Sequence, residues 1–432
     1  HSANNDAKIS SASLLLRGGS LSISGNTVAP TNVTVSDLVL GTSGSSSGGG
    51  GQIVITSGLD QNTTLALNAI TRHSGATMDF STVNSGSGIA SITTTTPNTS
   101  TGILGAYASA NLNGWATNDG TGSITPLPAG SYGTAFASAA HTSLSTNTAL
   151  PSGGATTHTL RFTSATALTF NATPGTLTLE SGGILVAPGA GNVTIGATTR
   201  RGALSTPDEL IVHQKSTSGT LTIHSPISAL GLTKTGAGTL VLTGTSTYTG
   251  STVINGGTIS ITTSANLGAA TADVMINGGT LALPSGTAGT LNAANRVITI
   301  GPAGGTLNFT ANQSFEGTGL AGTGNLTLTG AGALIFGSTA SAYNGHIFIN
   351  NGQIRMNSPQ LNSVASITVA SGASYNIDDD ATDTFSLSAA GRLVLNGNGL
   401  GGNGALRLTD QTPTIPRNNP VTVFNRDVLL QT

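Results

Sequence analysis

Thr252-Val253-Ile254-Asn255-Gly256-Gly257-Thr258-Ile259-Ser260-Ile261 decides the fold, because Val274-Met275-Ile276-Asn277-Gly278-Gly279-Thr280-Leu281-Ala282-Leu283 repeats it almost position for position. Each copy reads as a short strand, an Asn-Gly-Gly corner and a second strand. Within the strands Thr, Ser or Asn alternates with Ile, Leu or Val, and the two-residue period of a strand sends one set to a core and the other to water. Two such strands cannot bury their apolar side alone. Stacking one copy on the next does bury it, with backbone groups pairing between layers about 4.8 Å apart. The shift between the two copies is that of one solenoid turn, and the glycines supply the positive φ that a tight corner needs.

The same unit recurs in both directions from this stretch. Leu14-Leu15-Leu16-Arg17-Gly18-Gly19-Ser20-Leu21-Ser22-Ile23 is the first copy, and Leu177 to Val186 is read the same way. Looser copies lie at Ile298 to Phe309, Ile347 to Met356 and Ile367 to Ile377. The pattern fades between about Thr96 and Thr157, a polar stretch holding Trp115, Tyr107, Tyr132, Pro126, Pro128 and Pro151. These readings predict an all-β chain, a β-solenoid of stacked strands with a large irregular insertion: N-terminal turns over 1–95, the insertion over 96–157 and the main solenoid over 158–432.

Composition agrees. Of 432 residues 7% are charged, 37% are hydrophobic and 4% are aromatic, with 61 Gly and a net charge of −2. Disordered chains combine low hydrophobicity with high charge, the opposite of this balance. Aliphatics without many aromatics suit thin repeated layers. Lys occurs only at positions 8, 215 and 234, so the basic footprint of a nucleic-acid or anionic-membrane binder is missing. There is no cysteine, hence no disulfide or thiolate metal site, which fits export. No run approaches the roughly 20 apolar residues of a membrane helix. A chain opening on His1 is expected to be either a mature exported product or a fragment.

Gly231-Leu232-Thr233-Lys234-Thr235-Gly236-Ala237-Gly238-Thr239-Leu240-Val241-Leu242-Thr243-Gly244, followed by Tyr248-Thr249-Gly250 and Val253-Ile254-Asn255-Gly256-Gly257-Thr258-Ile259, resembles the autotransporter-associated β-strand repeat. A degenerate copy runs from Gly322 to Met356, keeping Leu326, Leu328, Tyr343-Asn344-Gly345 and Ile349-Asn350-Asn351-Gly352 but lacking the Lys. Gly102 to Tyr107 and Asn113 to Thr117 are similar to a segment common in large exported proteins with these repeats. The resemblance implies a right-handed parallel β-helix passenger, extracellular or displayed at the bacterial cell surface. No stretch of the chain has the alternating strands and aromatic girdles of a membrane barrel, so the translocating part expected of an autotransporter is either cleaved or replaced by another export route.

Chemistry is sparse. Asp378-Asp379-Asp380 with Asp383 offers carboxylate oxygens for Ca²⁺ but lacks the glycine-bracketed spacing of a calcium loop, and is read as a solvated turn. Asp208-Glu209, His213 and Arg200-Arg201 share only sequence proximity and are read as surface charge. His1 has an amine and an imidazole for copper, but no second His with a partnering role. No G-x-S-x-G elbow is present, and Gly44 to Gly51 lacks the Lys of a phosphate loop. No catalytic residue, cofactor or metal is expected, and the chain is not expected to be an enzyme.

The favoured reading is therefore a structural subunit of a bacterial surface fibre whose partner is itself. Solenoid ends leave unpaired strand edges. The C-terminal strand, with Val421, Val423, Phe424, Val428 and Leu429, is expected to pair head-to-tail with the N-terminal turns of the next copy, at Leu14, Leu16, Leu21 and Ile23. Alternatives are an adhesin binding surface glycans or matrix through an exposed groove at Trp115 and Tyr107, and a polysaccharide lyase or hydrolase. Nucleic acid and membrane insertion are not expected.

Overall fold

The computed structural model describes residues 12–42, 48–171, 175–283, 289–291, 296–315, 319–336, 342–356, 364–378, 392–409 and 428–431. The chain forms two compact units, residues 1–248 with 255–257, and residues 249–254 with 258–432. Both are all-β and built of stacked parallel strands, so the solenoid reading holds in each.

The first unit contains two coils. Its first coil has three short sheets. One is β1 (Leu14–Leu16), β4 (Asp37–Leu40) and β7 (Ala69–Arg72); another is β3 (Thr31–Thr34), β6 (Thr63–Ala66) and β9 (Ala90–Thr93). The third runs β2 (Gly19–Ser24), β5 (Gly50–Thr56), β8 (Thr77–Val83) and β10 (Ala108–Ala110), all parallel. It closes with β11 (Gly114–Asn118) and β12 (Ile124–Pro126), which turn back antiparallel. An antiparallel hairpin satisfies the last rung's backbone without offering another parallel turn, so it caps the coil at this end.

The second coil follows. One sheet runs β13 (Tyr132–Gly133), β14 (His141–Leu144), β16 (Gly154–Phe162), β18 (Thr176–Val186), β21 (Leu210–Gln214) and β24 (Leu232–Thr235). The other runs β15 (Thr148–Ala149), β17 (Thr166–Thr169), β19 (Val193–Ile195), β22 (Thr220–Ile223) and β25 (Thr239–Leu242), while β20 (Ala203–Ser205) pairs with the start of β18 and β23 (Ile227–Ser228) with β20. The stretch 96–157, expected as one irregular insertion, thus divides: its first part caps the first coil and its remainder opens the second. Its polar sequence hides this because the strands are short and lie between loops.

The second unit repeats the opening motif. Thr252 pairs with Val274 and Ile259 with Leu281, in the register of the sequence repeat. Ile259, Leu281, Leu307, Leu328, Ile349, Val369 and Leu395 stand one above another in successive strands, each almost wholly buried. At roughly 1.5–3 kcal/mol for each buried aliphatic side chain, such a column carries much of the unit's stability. From Gly289 onward the rungs gain a third strand, with Gln313–Phe315, Ala333–Phe336, Gln353–Met356, Ser374–Asp378 and Leu406–Thr409 in one sheet.

Candidate functional site

The rung of β1, β2 and β3 is open on one side among the described residues of the first unit. β1, β2 and β3 each pair on one side, with β4, β5 and β6, and among the described strands none pairs with the other side. Their core-facing side chains show the consequence. Leu14, Leu16, Leu21, Ile23 and Val33 are half-buried against the core, while Leu38, Leu40, Ile53, Ile55 and Leu65, their register partners one rung deeper, are at most 1% exposed. Four of the proposed assembly residues therefore form one edge. Val428 and Leu429 lie on the strand Val428–Gln431, parallel to Arg392–Asn396; Val421, Val423 and Phe424 lie outside the described residues, as do His1, Asp379, Asp380 and Asp383.

A second feature was not anticipated: the first coil packs side by side on the outward face of the second. Ile103, Trp115 and Leu127 from the first coil's end bury against Leu185 and Ala187 of the second coil, with Tyr132 beside them. A Cβ at Gly183 would come 2.9 Å from the Trp115 ring, so that glycine admits the indole. Trp115 is fully buried and Tyr107 lies beneath the Arg72 guanidinium, 5.7 Å from its ring centre. The aromatic groove expected of an adhesin at Trp115 is absent; its ring forms the core between coils.

Around that core runs a polar seam. The Glu209 carboxylate takes the Arg72 guanidinium at 2.5 Å, the Gly75 amide at 3.1 Å and the Thr233 hydroxyl. Asp79 faces Lys215 at 3.3 Å, with both side chains under 10% exposed. Asn255 donates to the Gly75 carbonyl at 2.7 Å. His213 is fully buried, meets Trp115 edge-on and is hydrogen-bonded through Nε2 to the Ala106 carbonyl. Burial, reinforced by the Lys215 charge, pulls its pKa down to about 3, so it is a neutral imidazole at ordinary pH. At the far end His141 and His158 grip the Thr101 carbonyl and hydroxyl.

This geometry separates the residues that sequence proximity had grouped. Glu209 points to Arg72 and His213 to Ala106, while Asp208 is exposed and Arg201 donates to the Thr243 carbonyl. No acid–base pair forms among them. Among the described residues no group of three or more His, Asp or Glu is placed to hold a metal ion, and no helix is long and apolar enough to cross a membrane. Sequence did carry a signal for the seam. Ile184-Leu185-Val186 and Leu210 to Gln214 do not alternate, and uninterrupted burial along a strand means that both faces are covered.

The order of contacts gives the coils' relative direction. Thr101 reaches β14 and β16, Ala106 reaches β18 and β21, Asp79 and Arg72 reach the flanks of β21, and Gly50, one rung earlier, abuts Thr235 and Asn255. The first coil therefore runs antiparallel to the second.

The resemblance-bearing corner is also now explicit. Lys234 points into the second coil, where its ammonium donates to the carbonyls of Gly236, Gly238 and Gly256 at 2.5, 2.5 and 2.6 Å. A side chain at Gly257, whose φ is +57°, would run into that ammonium and two of those carbonyls. The motif's Lys and glycines are thus parts of one staple across a rung corner. Burial, followed by the Lys215 charge, draws the Lys234 pKa down to about 7.

A family model of the passenger-associated-transport-repeat matches residues 232–261 and 320–356. No curated protein and no solved structure matches the chain.

Proposed function

We propose that this chain, which carries autotransporter passenger repeats, is a structural solenoid of the bacterial surface whose open first rung adds a strand layer from a second copy, building a fibre. The repeats support an exported, surface or secreted setting. The observation that carries the fibre reading is the half-burial of Leu14, Leu16, Leu21 and Ile23 beside deeper rung partners that are closed to solvent. Three strand edges, unpaired among the described residues and with an aliphatic face above them, match the underside of another rung of the same kind. A free hydrophobic edge of this type drives association unless covered.

A structural role also fits the titratable groups. Glu209 and Asp79 are engaged within the seam, while Asp37, Asp60 and Asp119 accept from neighbouring hydroxyls, and from turn amides at Asp60 and Asp119, and are held below the usual carboxylate range by those bonds. These five carboxylates are not free to exchange protons with a substrate, and a polysaccharide-cleavage screen is expected to be blank.

Electron microscopy of the purified chain tests the fibre reading. Wild type should form fibres, and Leu21→Asp with Ile23→Asp should abolish them while circular dichroism stays β-rich. Dispersed wild-type particles at high concentration, or fibres that survive the double substitution, would overturn it.

A further inference from the structure

We propose that Asp79 and Lys215 condense spontaneously to an amide, so that the two coils of the first unit are joined by a covalent side-chain cross-link. Lys215 Nζ lies 3.3 Å from Asp79 Oδ1, and their side chains are 8% and 4% exposed. Each is held from its own coil: Asp79 within β8, Lys215 immediately after β21. They are 136 positions apart in the chain, so the contact belongs to the folded seam alone.

The two partners are unequally satisfied. Asp79 Oδ1 accepts from the Ser109 hydroxyl at 2.6 Å and the Leu112 amide at 3.2 Å, and Oδ2 from the Ser81 hydroxyl at 2.7 Å. The ammonium has three protons, and among the described residues Asp79 Oδ1 is its one acceptor. Lys234, by contrast, has three carbonyls. Burial, opposed by the Asp79 charge, pulls the Lys215 pKa down and favours the free amine. The Asp79 hydrogen bonds and the Lys215 charge outweigh burial and keep the carboxyl ionised at rest. The reactive form is therefore reached by proton transfer inside the pair.

The step balances without a co-reactant. One proton passes from the ammonium to Oδ1, leaving an amine and a carboxylic acid. The nitrogen lone pair attacks Cγ, and the charge that develops on Oδ2 is met by the Ser81 hydroxyl. A second proton moves from nitrogen to the Oδ1 hydroxyl, the Cγ–Oδ1 bond breaks and water leaves. One C–N bond has formed, one C–O bond has broken and nothing is oxidised or reduced. In water the solvation of both ions opposes this reaction. Here the ions have already lost that solvation, and a neutral amide removes two buried charges. The fixed geometry replaces a bimolecular encounter with a permanent contact.

The intact mass of the purified, denatured wild-type chain tests the proposal directly. It should be lighter than its sequence by one water, and digestion should yield one branched peptide in which Lys215, resistant to trypsin, is joined to Asp79. Asp79→Asn should reach the same product by expelling ammonia, and Asp79→Ala should keep its full mass. A wild-type chain at full sequence mass, or a missing water mapped to other residues, overturns it. Neither result depends on whether fibres form.

Discussion

Tyr343 is the register partner of Gly322 in the next rung, and its hydroxyl lies 2.6 Å from the Gly324 carbonyl and 2.8 Å from that of His346. Gly322 stands in the degenerate repeat where Lys234 stands in the complete one. The tyrosine hydroxyl serves the carbonyl of Gly324, which corresponds to Gly236, whose carbonyl the Lys234 ammonium takes in the complete copy.

Replacing Tyr343 by Phe should therefore lower stability by about 1–2 kcal/mol, since a buried carbonyl loses its donor while the packing is kept. The denaturant midpoint of the full chain reads this out. An unchanged midpoint would mean that the hydroxyl does nothing at the corner.

Lys234→Met keeps the aliphatic stem but strips donors from three carbonyls at once. A loss of roughly 2–4 kcal/mol is expected, the scale of a buried charge-assisted network broken on one side. Thermal unfolding of the variant beside wild type measures it, and a gain in stability would show that the buried charge costs more than its bonds return.

His213 gives the first unit an acid-labile seam. Its folded pKa of about 3 lies below the ordinary 6.5 of an unfolded histidine, so between these values the unfolded chain holds a proton that the folded chain does not. Stability must then fall as pH drops from about 6.5 toward 3, by roughly 1 kcal/mol per pH unit from this residue, and be unaffected by it above 6.5. His213→Leu should flatten that part of a denaturation-against-pH profile; a variant retaining the full slope would assign it elsewhere.

Trp115→Ala empties the core between the coils and should cost about 3–5 kcal/mol. Limited proteolysis is expected to begin between residues 119 and 140 in the variant, where the first coil's cap leads into the second coil. Protection equal to wild type would mean that the polar seam alone holds the coils together.

Much of this was legible in the sequence. The spacing of the Ile254 and Ile276 copies is the strand register itself, and the half-buried edge at Leu14 to Ile23 follows from a repeat with no rung before it among the described residues. The side-by-side coils were not legible. Alternation reports which face of a strand is apolar but not what covers the other face, and nothing local links Asp79 to Lys215 or Gly75 to Asn255. The unbroken apolar run at Ile184-Leu185-Val186 was the available clue, disguised by its likeness to the alternating copies. Trp115 misled for a related reason: within a polar stretch a lone aromatic reads as surface, whereas here that stretch is the lid of one coil pressed onto the wall of another.

The opposed directions of the two coils bear on when the chain can finish folding. Residues 72 to 79 find their mates at 209 to 215 and at 255, separations of 136 to 180 positions, and closing such long loops is slow compared with adding one rung to its neighbour. Whichever terminus leaves a narrow exit first, the flank of the early coil stays bare until a stretch of more than a hundred residues has cleared. The contacts between the two coils are therefore the last of the first unit's to close, and its rigidity arrives with them.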